Sequence, residues 1–529
     1  MLSTLYPLGY SVCLLGLILW FYFEENRVMS RMMSTAFLGG FLVYLFALAF
    51  SDGSTSYKLA ILFRDFMVLA AVTSGFSFLK KQKMLFFALL AVVYCIFQFK
   101  YFSVLQQTFP ETPNEQVALP SPDHSTELEK ALTQPSHSDP EGELLVEIKE
   151  NHQMQELAHL VKKYGLSYSP AFEVALKDQT DLDDYVVLNI PKKAIHQSQA
   201  ITRDLMASGL IDSWEWNEIV QLDPQELAPI GSQRKNVKKY GLNDPDIDQL
   251  WGFEALKMDE LYKVLKSSKV KAKRKARVFI LDTGVDAKHE DLKANYRSHK
   301  AKYDKDPRGH GTHCAGIAGA VSNNGKGVAS FSQSNDYVQL TSITVLRAFG
   351  GGTQQGIING MIEAADNGAD VISMSLGGPS NDAKQRAYQK AIEYANKAGA
   401  IVIVAAGNSN ANAKFFAPAC APGAITVSAV DTMINRASFS NFVTNLKMGI
   451  AAPGVDIHST IPSSKYAKFS GTSMATPYVA GLVGLMKSIQ PELTTKEVYS
   501  ILNKTGVKTG NTKETGRMIQ PAAAIKALQ

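Results

Sequence analysis

Asp282 closes an apolar run in the setting LDTG, His310 lies in RGHGTHCAG, Asn408 in VAAGNSN and Ser473 in SGTSMATP. These segments bring a carboxylate, an imidazole, an amide and a hydroxyl. A serine hydroxyl is a poor nucleophile until a neighbouring base takes its proton, and that base needs a carboxylate to fix its tautomer and stabilise its cation. Ser473, His310 and Asp282 fill those roles in turn. The Asn408 amide and the Ser473 backbone N–H supply donors for a tetrahedral oxyanion. Two other chemistries draw on the same residues. Asp-Thr-Gly also presents the carboxylate of aspartic proteases, but that mechanism needs two acids sharing a proton, and the sequence holds no second Asp-Thr-Gly or Asp-Ser-Gly. His310, His313 and Cys314 have a zinc-like spacing, yet they lack a fourth ligand and leave the Ser473 segment unexplained. Taken singly, an Asp after a strand is a turn residue and a buried Ser a satisfied hydroxyl; it is their combination that points to serine hydrolysis.

The elements that must position these residues are short apolar strands alternating with helices. RVFIL, VQLTSITVL, DVISMSL, AIVIVAAG and AITVSAV read as buried parallel strands. GIINGMIEAADNGA and AKQRAYQKAIEYANKAG read as helices ending near glycine. The expected fold is an α/β, doubly wound, mostly parallel sheet, whose active site gathers beyond the carboxyl ends of the strands. Asp282 and Asn408 both follow strands, and Ser473 opens a helix.

The blocks LDTGVDAKHEDL, GHGTHCAGIAGAVSNNGKGVA and SGTSMATPYVAG, in that order, resemble the three signatures of the subtilisin-like serine proteases (the subtilase family), nearest its thermitase and proteinase K branches. NDP, VISMSLGG, AAGN, ASFSN and APGVDI extend the likeness over residues 241–529, and Ser470 stands where many members have Asn. The resemblance implies a peptidase with a catalytic set of Asp282, His310, Ser473 and Asn408. It further implies an S1 pocket lined by Ser375, Leu376 and Gly377 with Ala405, Ala406 and Gly407, and a backbone edge at Gly350, Gly351 and Gly352 to which an extended peptide adds as a strand. No carboxylate lies in these pocket segments, so a broad or apolar P1 preference is expected rather than one for Arg or Lys. In AVSNNGKGVA the family's calcium loop is matched. Its ligands would be the Asn324 side chain, the carbonyls of Val321, Lys326 and Val328, and the carboxylates of Asp244 and Asp291.

Upstream, residues 143–223 have the pattern βαββαβ of a ferredoxin-like split unit: ELLVEIK, a helix over NHQMQELAHLVKKYG, strands FEVAL and DDYVVLNIP, a helix over AIHQSQAITRDLMASG, and a strand SWEWNEIVQL. Its place before a subtilisin-like domain resembles the family's propeptide, which assists folding and then inhibits. Residues 224–240, with Pro224 and Pro229, form a candidate processing segment.

Residues 106–142 are rich in Pro, Glu, Ser and Thr and read as a disordered linker. Residues 1–105 hold four apolar runs, Leu5–Phe23, Met33–Phe50, Leu59–Leu79 and Met84–Phe99, each near the length that spans a bilayer. The first lacks a basic start and a small-residue cleavage site, so a retained four-helix membrane domain is expected in place of a signal peptide. Arg27, Arg31, Lys80, Lys81 and Lys83 put the first and third loops in the cytoplasm, against Lys58 and Lys100. Both termini and the protease then face outward, and cutting in 224–240 would free the enzyme. The formal charge of +5 over 529 residues gives no reason to expect a nucleic-acid partner. The expected partners are a peptide or protein substrate, the chain's own propeptide-like unit and the lipid bilayer. A second function class is a membrane sensor or adaptor whose protease-like domain mainly binds partners. The basic run Lys263–Arg277 reads as a solvated surface loop.

Overall fold

The computed structural model describes residues 12–13, 15–20, 23, 26–49, 142–222, 237–267, 270–348, 350–380 and 382–529. The chain divides into two compact units, residues 1–125 and 126–529. In the first, one helix, α1 (Arg27–Ala49), is long and apolar enough over Arg27–Phe46 to cross a membrane, the only such helix among the described residues. It contains most of the second apolar run. The third and fourth runs, residues 106–141 of the linker and residues 224–236 of the processing segment lie outside the described residues.

The second unit begins with a four-stranded antiparallel sheet. Its elements are β1 (Glu143–Ile148), α2 (Ala158–Tyr164), β2 (Ser167–Pro170), β3 (Tyr185–Asn189), α3 (Ser198–Ala207) and β4 (Ile211–Trp216), with strand order β2-β3-β1-β4. Side chains on a strand alternate between faces, and this sheet uses both. Leu144, Val146, Ile148 and Leu188 pack with Leu157, Leu160, Ile201 and Leu205 beneath the two helices. Leu145, Tyr185 and Val187 turn the other way and join a core that belongs mainly to the following domain. Two expectations fail here. The strand expected at FEVAL is Ser167–Pro170 instead, because Phe172 and Val174 leave the ladder to pack into that second core. SWEWNEIVQL is not one strand: after Trp216 the chain turns, and β5 (Ile219–Gln221) pairs elsewhere.

The rest is a six-stranded parallel sheet ordered β12-β11-β10-β9-β6-β7. In chain order the elements of this domain are β6 (Ala276–Asp282), α4 (His310–Gly319), β7 (Val338–Thr344), the short strand β8 (Gly351–Thr353), which lies outside that sheet, α5 (Gln354–Asp366), β9 (Val371–Met374), α6 (Asp382–Lys397), β10 (Ile401–Ala405), β11 (Ile425–Val430) and β12 (Gly449–Pro453). A hairpin β13 (Ile457–Ile461) and β14 (Lys465–Phe469) leads into α7 (Thr472–Ile489). Burial on both faces explains the continuous apolar strands. Val278 and Ile280 of β6 face α4 and α7, while Phe279 and Leu281 face α5 and α6. α7 is apolar on every side and buried from Thr472 to Ser488, as a helix enclosed by a core must be. From β6 the sheet grows one way to β7 and the other way to β9, so the strand order reverses at the carboxyl ends of β6 and β9.

Candidate active site

Asp282 ends β6 and is fully buried. His310 is the first residue of α4, and its Nδ1 lies 2.8 and 2.9 Å from the two carboxylate oxygens of Asp282. Asp282 Oδ1 also accepts the Thr283 N–H at 2.7 Å. An ionised carboxylate is acceptor only, so Nδ1 carries the proton and Nε2 is left as the basic atom. Burial works against the imidazolium, but the Asp282 charge and hydrogen bond outweigh it and hold the His310 pKa above its ordinary value. Nε2 is buried and has no hydrogen-bond partner.

The short distance between β6 and α4 depends on Gly311. A Cβ there would lie 2.1 Å from Gly284 O and 3.0 Å from Asp282 Cβ. α4 is further held by Asp306, which the sequence reading did not single out. Its Oδ1 accepts from Thr283 Oγ1 and Gly309 N at 2.8 Å, and its Oδ2 from Thr312 N and Oγ1 at 2.8 and 2.7 Å. A carboxylate on the otherwise unpaired amides of a helix start is favoured by hydrogen bonding and by the helix dipole. The signal for it was an acidic residue just ahead of a helix.

Ser473 is the second residue of α7, and its Oγ donates to Ser375 O at 3.2 Å. Ser375, just beyond β9, donates through Oγ to Ser473 O at 2.8 Å. A staggered change of χ1 is what would redirect the Ser473 hydroxyl from the Ser375 carbonyl to a base. Asn408 follows β10. Its Oδ1 accepts from Thr472 N and Thr472 Oγ1 at 2.8 and 2.9 Å, which fixes the side-chain amide. A Cβ built on Gly471 would lie 3.6 Å from both Asn408 Nδ2 and Ser473 N, so the two donors border one small space.

Ser375, Leu376, Ala405 and Ala406 are buried, and Gly377 and Gly407 are half-buried. The edge at Gly350 to Gly352 is taken by the chain itself. β5 pairs antiparallel with β8 in the register Ile219 to Thr353, Val220 to Gly352 and Gln221 to Gly351, and Leu222 N donates to Gly350 O at 3.0 Å. Gly352 allows a backbone approach on its other side, since a Cβ would lie 2.2 Å from Val345 O. The first-turn amides of α5 are met by the same segment: Gln354 N donates to Glu218 O at 2.9 Å and Gln355 N to Asn217 Oδ1 at 3.0 Å.

His313 does not join His310 and Cys314 as a zinc set. Its Nε2 lies 3.0 Å from Ala467 O, its ring stacks on Phe469, and burial lowers its pKa to about 3. The group that does converge is Asp282, His310 and Cys314. Burial drives the Cys314 thiol well above its ordinary pKa, so it stays neutral and does not compete as a nucleophile.

Asp244 and Asp291 flank the loop at Asn324. Asp291 accepts from Asn324 Nδ2 and Val328 N, each at 2.8 Å, and Asp244 from Asn323 N and Asn324 N at 2.8 and 3.1 Å. Burial raises both pKa values, that of Asp291 to about 7. Val321 N donates to Asp291 O at 2.8 Å, and Lys326 N to Asn324 Oδ1 at 2.8 Å.

A model of the subtilase family matches residues 273–518. Subtilisin DY of Bacillus licheniformis is 39% identical over 265 residues, spanning 48% of this chain and 93% of its own length. Thermitase of Thermoactinomyces vulgaris is 42% identical over 218 residues, 40% of this chain and 75% of that protein. A thermophilic serine proteinase of Bacillus sp. strain AK1 is 32% identical over 355 residues, 66% of this chain and 78% of its length. That last span is longer than everything after residue 222.

Proposed function

This chain belongs to the subtilase family and is a serine endopeptidase; from that premise we propose that it works through an Asp282–His310–Ser473 triad, on the outer side of a membrane, and is made as a self-inhibited zymogen. The observations that carry the reading are β5, paired along β8 at the edge where the family resemblance puts an extended substrate, and a histidine whose Nε2 is unprotonated and without a partner.

In the reaction, the Ser473 hydroxyl leaves the Ser375 carbonyl and passes its proton to His310 Nε2 as Oγ attacks the peptide carbonyl. Asp282 holds the proton on Nδ1 and stabilises the imidazolium that results. Asn408 Nδ2 and Ser473 N donate to the oxyanion, and both are fixed beforehand, one by Thr472 and the other by the helix. The imidazolium then protonates the leaving amine, and water repeats the sequence on the acyl-enzyme. Substrate adds to β8 as a strand, and its P1 side chain enters the space between Ser375–Gly377 and Ala405–Gly407, which suits apolar groups.

Residues 143–223, whose sheet has the strand order of a ferredoxin-like unit, act as an inhibitory propeptide whose tail fills the cleft in a product-like manner. The reach of the AK1 alignment into this unit supports that role. A calcium ion is proposed at Asp244 and Asp291, with Asn324 and the carbonyls of Val321, Lys326 and Val328. The fit rests on two buried carboxylates with raised pKa values and no ion pair to a basic side chain among the described residues. Asn324 must turn its amide over to offer oxygen. A bound ion would neutralise this pair and tie the Asn324 loop to the segment that follows β6, with no step of the reaction routed through it. α1 is proposed as part of the membrane anchor, with the orientation set by Arg27 and Arg31 on the cytoplasmic side.

The test labels cells making the wild type or Ser473→Ala with a fluorophosphonate probe, then fractionates them and blots for the C-terminus. Labelled protein from the wild type alone, with a shorter soluble form absent in Ser473→Ala, is expected. Labelling of Ser473→Ala refutes the nucleophile. Identical full-length membrane protein in both, active in the wild type, refutes self-release.

A further inference from the structure

At the opposite end of the sheet from the active site, a cavity of about 890 Å³ opens where β10 and β11 begin, lined among others by Ala400, Ala424, Met448, Leu493 and Tyr499. That volume lies within the range of sites for small organic ligands, and the named lining is largely apolar, as in such sites. One of the charged side chains that line it is buried. Lys487, near the C-terminal end of α7, is 3% exposed and donates through Nζ to Gly399 O at 3.1 Å and to Leu493 O at 3.2 Å. An ammonium has three donors, so one remains. No carboxylate among the described residues pairs with Lys487, and Asp370 is already bound by the two terminal nitrogens of the Arg274 guanidinium. A buried, uncompensated cation beside an apolar void is costly, and an anionic partner relieves it. The rim adds exposed Lys397, Lys447 and Lys496 against the single acid Glu492.

We propose that this cavity binds a small organic carboxylate with an apolar body, its carboxylate on Lys487 Nζ and its body against the lining between β10, β11 and Tyr499. The site is separate from catalysis: Ser473 and Lys487 lie on one helix, and their positions put them roughly 21 Å apart along its axis at 1.5 Å per residue.

The test is calorimetric titration of the full chain, carrying Ser473→Ala to stop autolysis, with 3-phenylpropanoate and with its neutral isostere 3-phenylpropanamide. The carboxylate is expected to bind roughly 10- to 100-fold more tightly than the amide, the usual advantage of a charged hydrogen bond. Lys487→Met should remove that preference, and Lys487→Arg should retain it. Equal affinity for acid and amide, or a preference that survives Lys487→Met, overturns the proposal. If Lys487→Met does not fold, the Lys487 ¹³Cε resonance, assigned through Lys487→Arg, decides. A saturable shift with the carboxylate and none with the amide supports the site; an unmoved resonance overturns it.

Discussion

If the small unit inhibits the enzyme as proposed, Lys390→Met should break the latency of the uncut protein. Lys390, on α6, reaches across to the small unit and donates to Glu147 at 2.6 Å; the two side chains are 23% and 8% exposed. Its ammonium also stands 5.7 Å from the Tyr185 ring centroid. Glu147 keeps one other side-chain donor, Ser213 Oγ at 2.6 Å. The second ion pair of Lys390, to Asp181, is 73% exposed on the acid side and contributes little. Removing the lysine leaves a buried carboxylate with one neutral donor, whereas in the undocked unit Glu147 is solvated. The loss therefore falls on the docked state, at roughly 2–5 kcal/mol. That corresponds to a 30- to 5,000-fold rise in the open fraction until opening is complete. The assay is initial hydrolysis of a fluorogenic peptide by the full-length chain, normalised by active-site titration. Glu147→Gln combined with Lys390→Met leaves a neutral pair and should restore part of the latency. Residual activity of Lys390→Met within threefold of wild type, or a double variant no more latent than the single, refutes the reasoning.

Acid should act on the same lock. The Glu147 pKa is lowered: burial opposes this, but the Lys390 hydrogen bond and charge, with Ser213, prevail. Its contribution is complete above the ordinary carboxylate pKa of about 4.3 and is lost as pH falls below that through the docked value. During acid exposure the small unit of Ser473→Ala should become more readily cut by added pepsin as pH falls through that range, and a cleavage rate equal to that of Lys390→Met throughout counts against the lock. Ser473→Ala should abolish hydrolysis, and Asn408→Ala should lower kcat by roughly 10²–10³ with KM little changed, a magnitude measured on subtilisin, a relative of this chain; steady-state kinetics check both. Since His310 is a base only when neutral and its pKa is raised, the acid limb of kcat/KM should lie above pH 6.5. A pH profile with its limb below that value contradicts the Asp282 pairing. Chelator should lower the unfolding midpoint of the wild type and leave Asp291→Asn unaffected; equal midpoints with and without chelator refute the calcium site.

The parallel sheet was legible because its strands are apolar without alternation and are punctuated by glycine, and the named chemical residues stand at strand ends and at a helix start. β12 was not legible as a strand: Gly449–Pro453 is short, ends in proline and has Ile450 as its one large apolar residue, and it is the parallel ladder with β11 that makes it a strand. The division of SWEWNEIVQL was also hidden. Val220 and its neighbours have strand propensity, but propensity does not reveal that their partner is Gly351 to Thr353 in another domain. FEVAL shows the same limit, since Phe172 and Val174 are apolar for docking. Glu147 and Lys390, 243 positions apart, carry no local signal of one another.

The two-faced sheet of the small unit makes the parity of a residue number meaningful along β1 and β3. Even positions, Leu144, Val146, Ile148 and Leu188, answer to the unit's own helices, so they can drift together within it. Odd positions, Leu145, Glu147, Tyr185 and Val187, answer to α5 and α6, encoded some two hundred codons downstream. A change at an odd position must be matched there or its partner is lost. Grafting this unit onto another protease of the family would therefore succeed only when α5 and α6 travel with it.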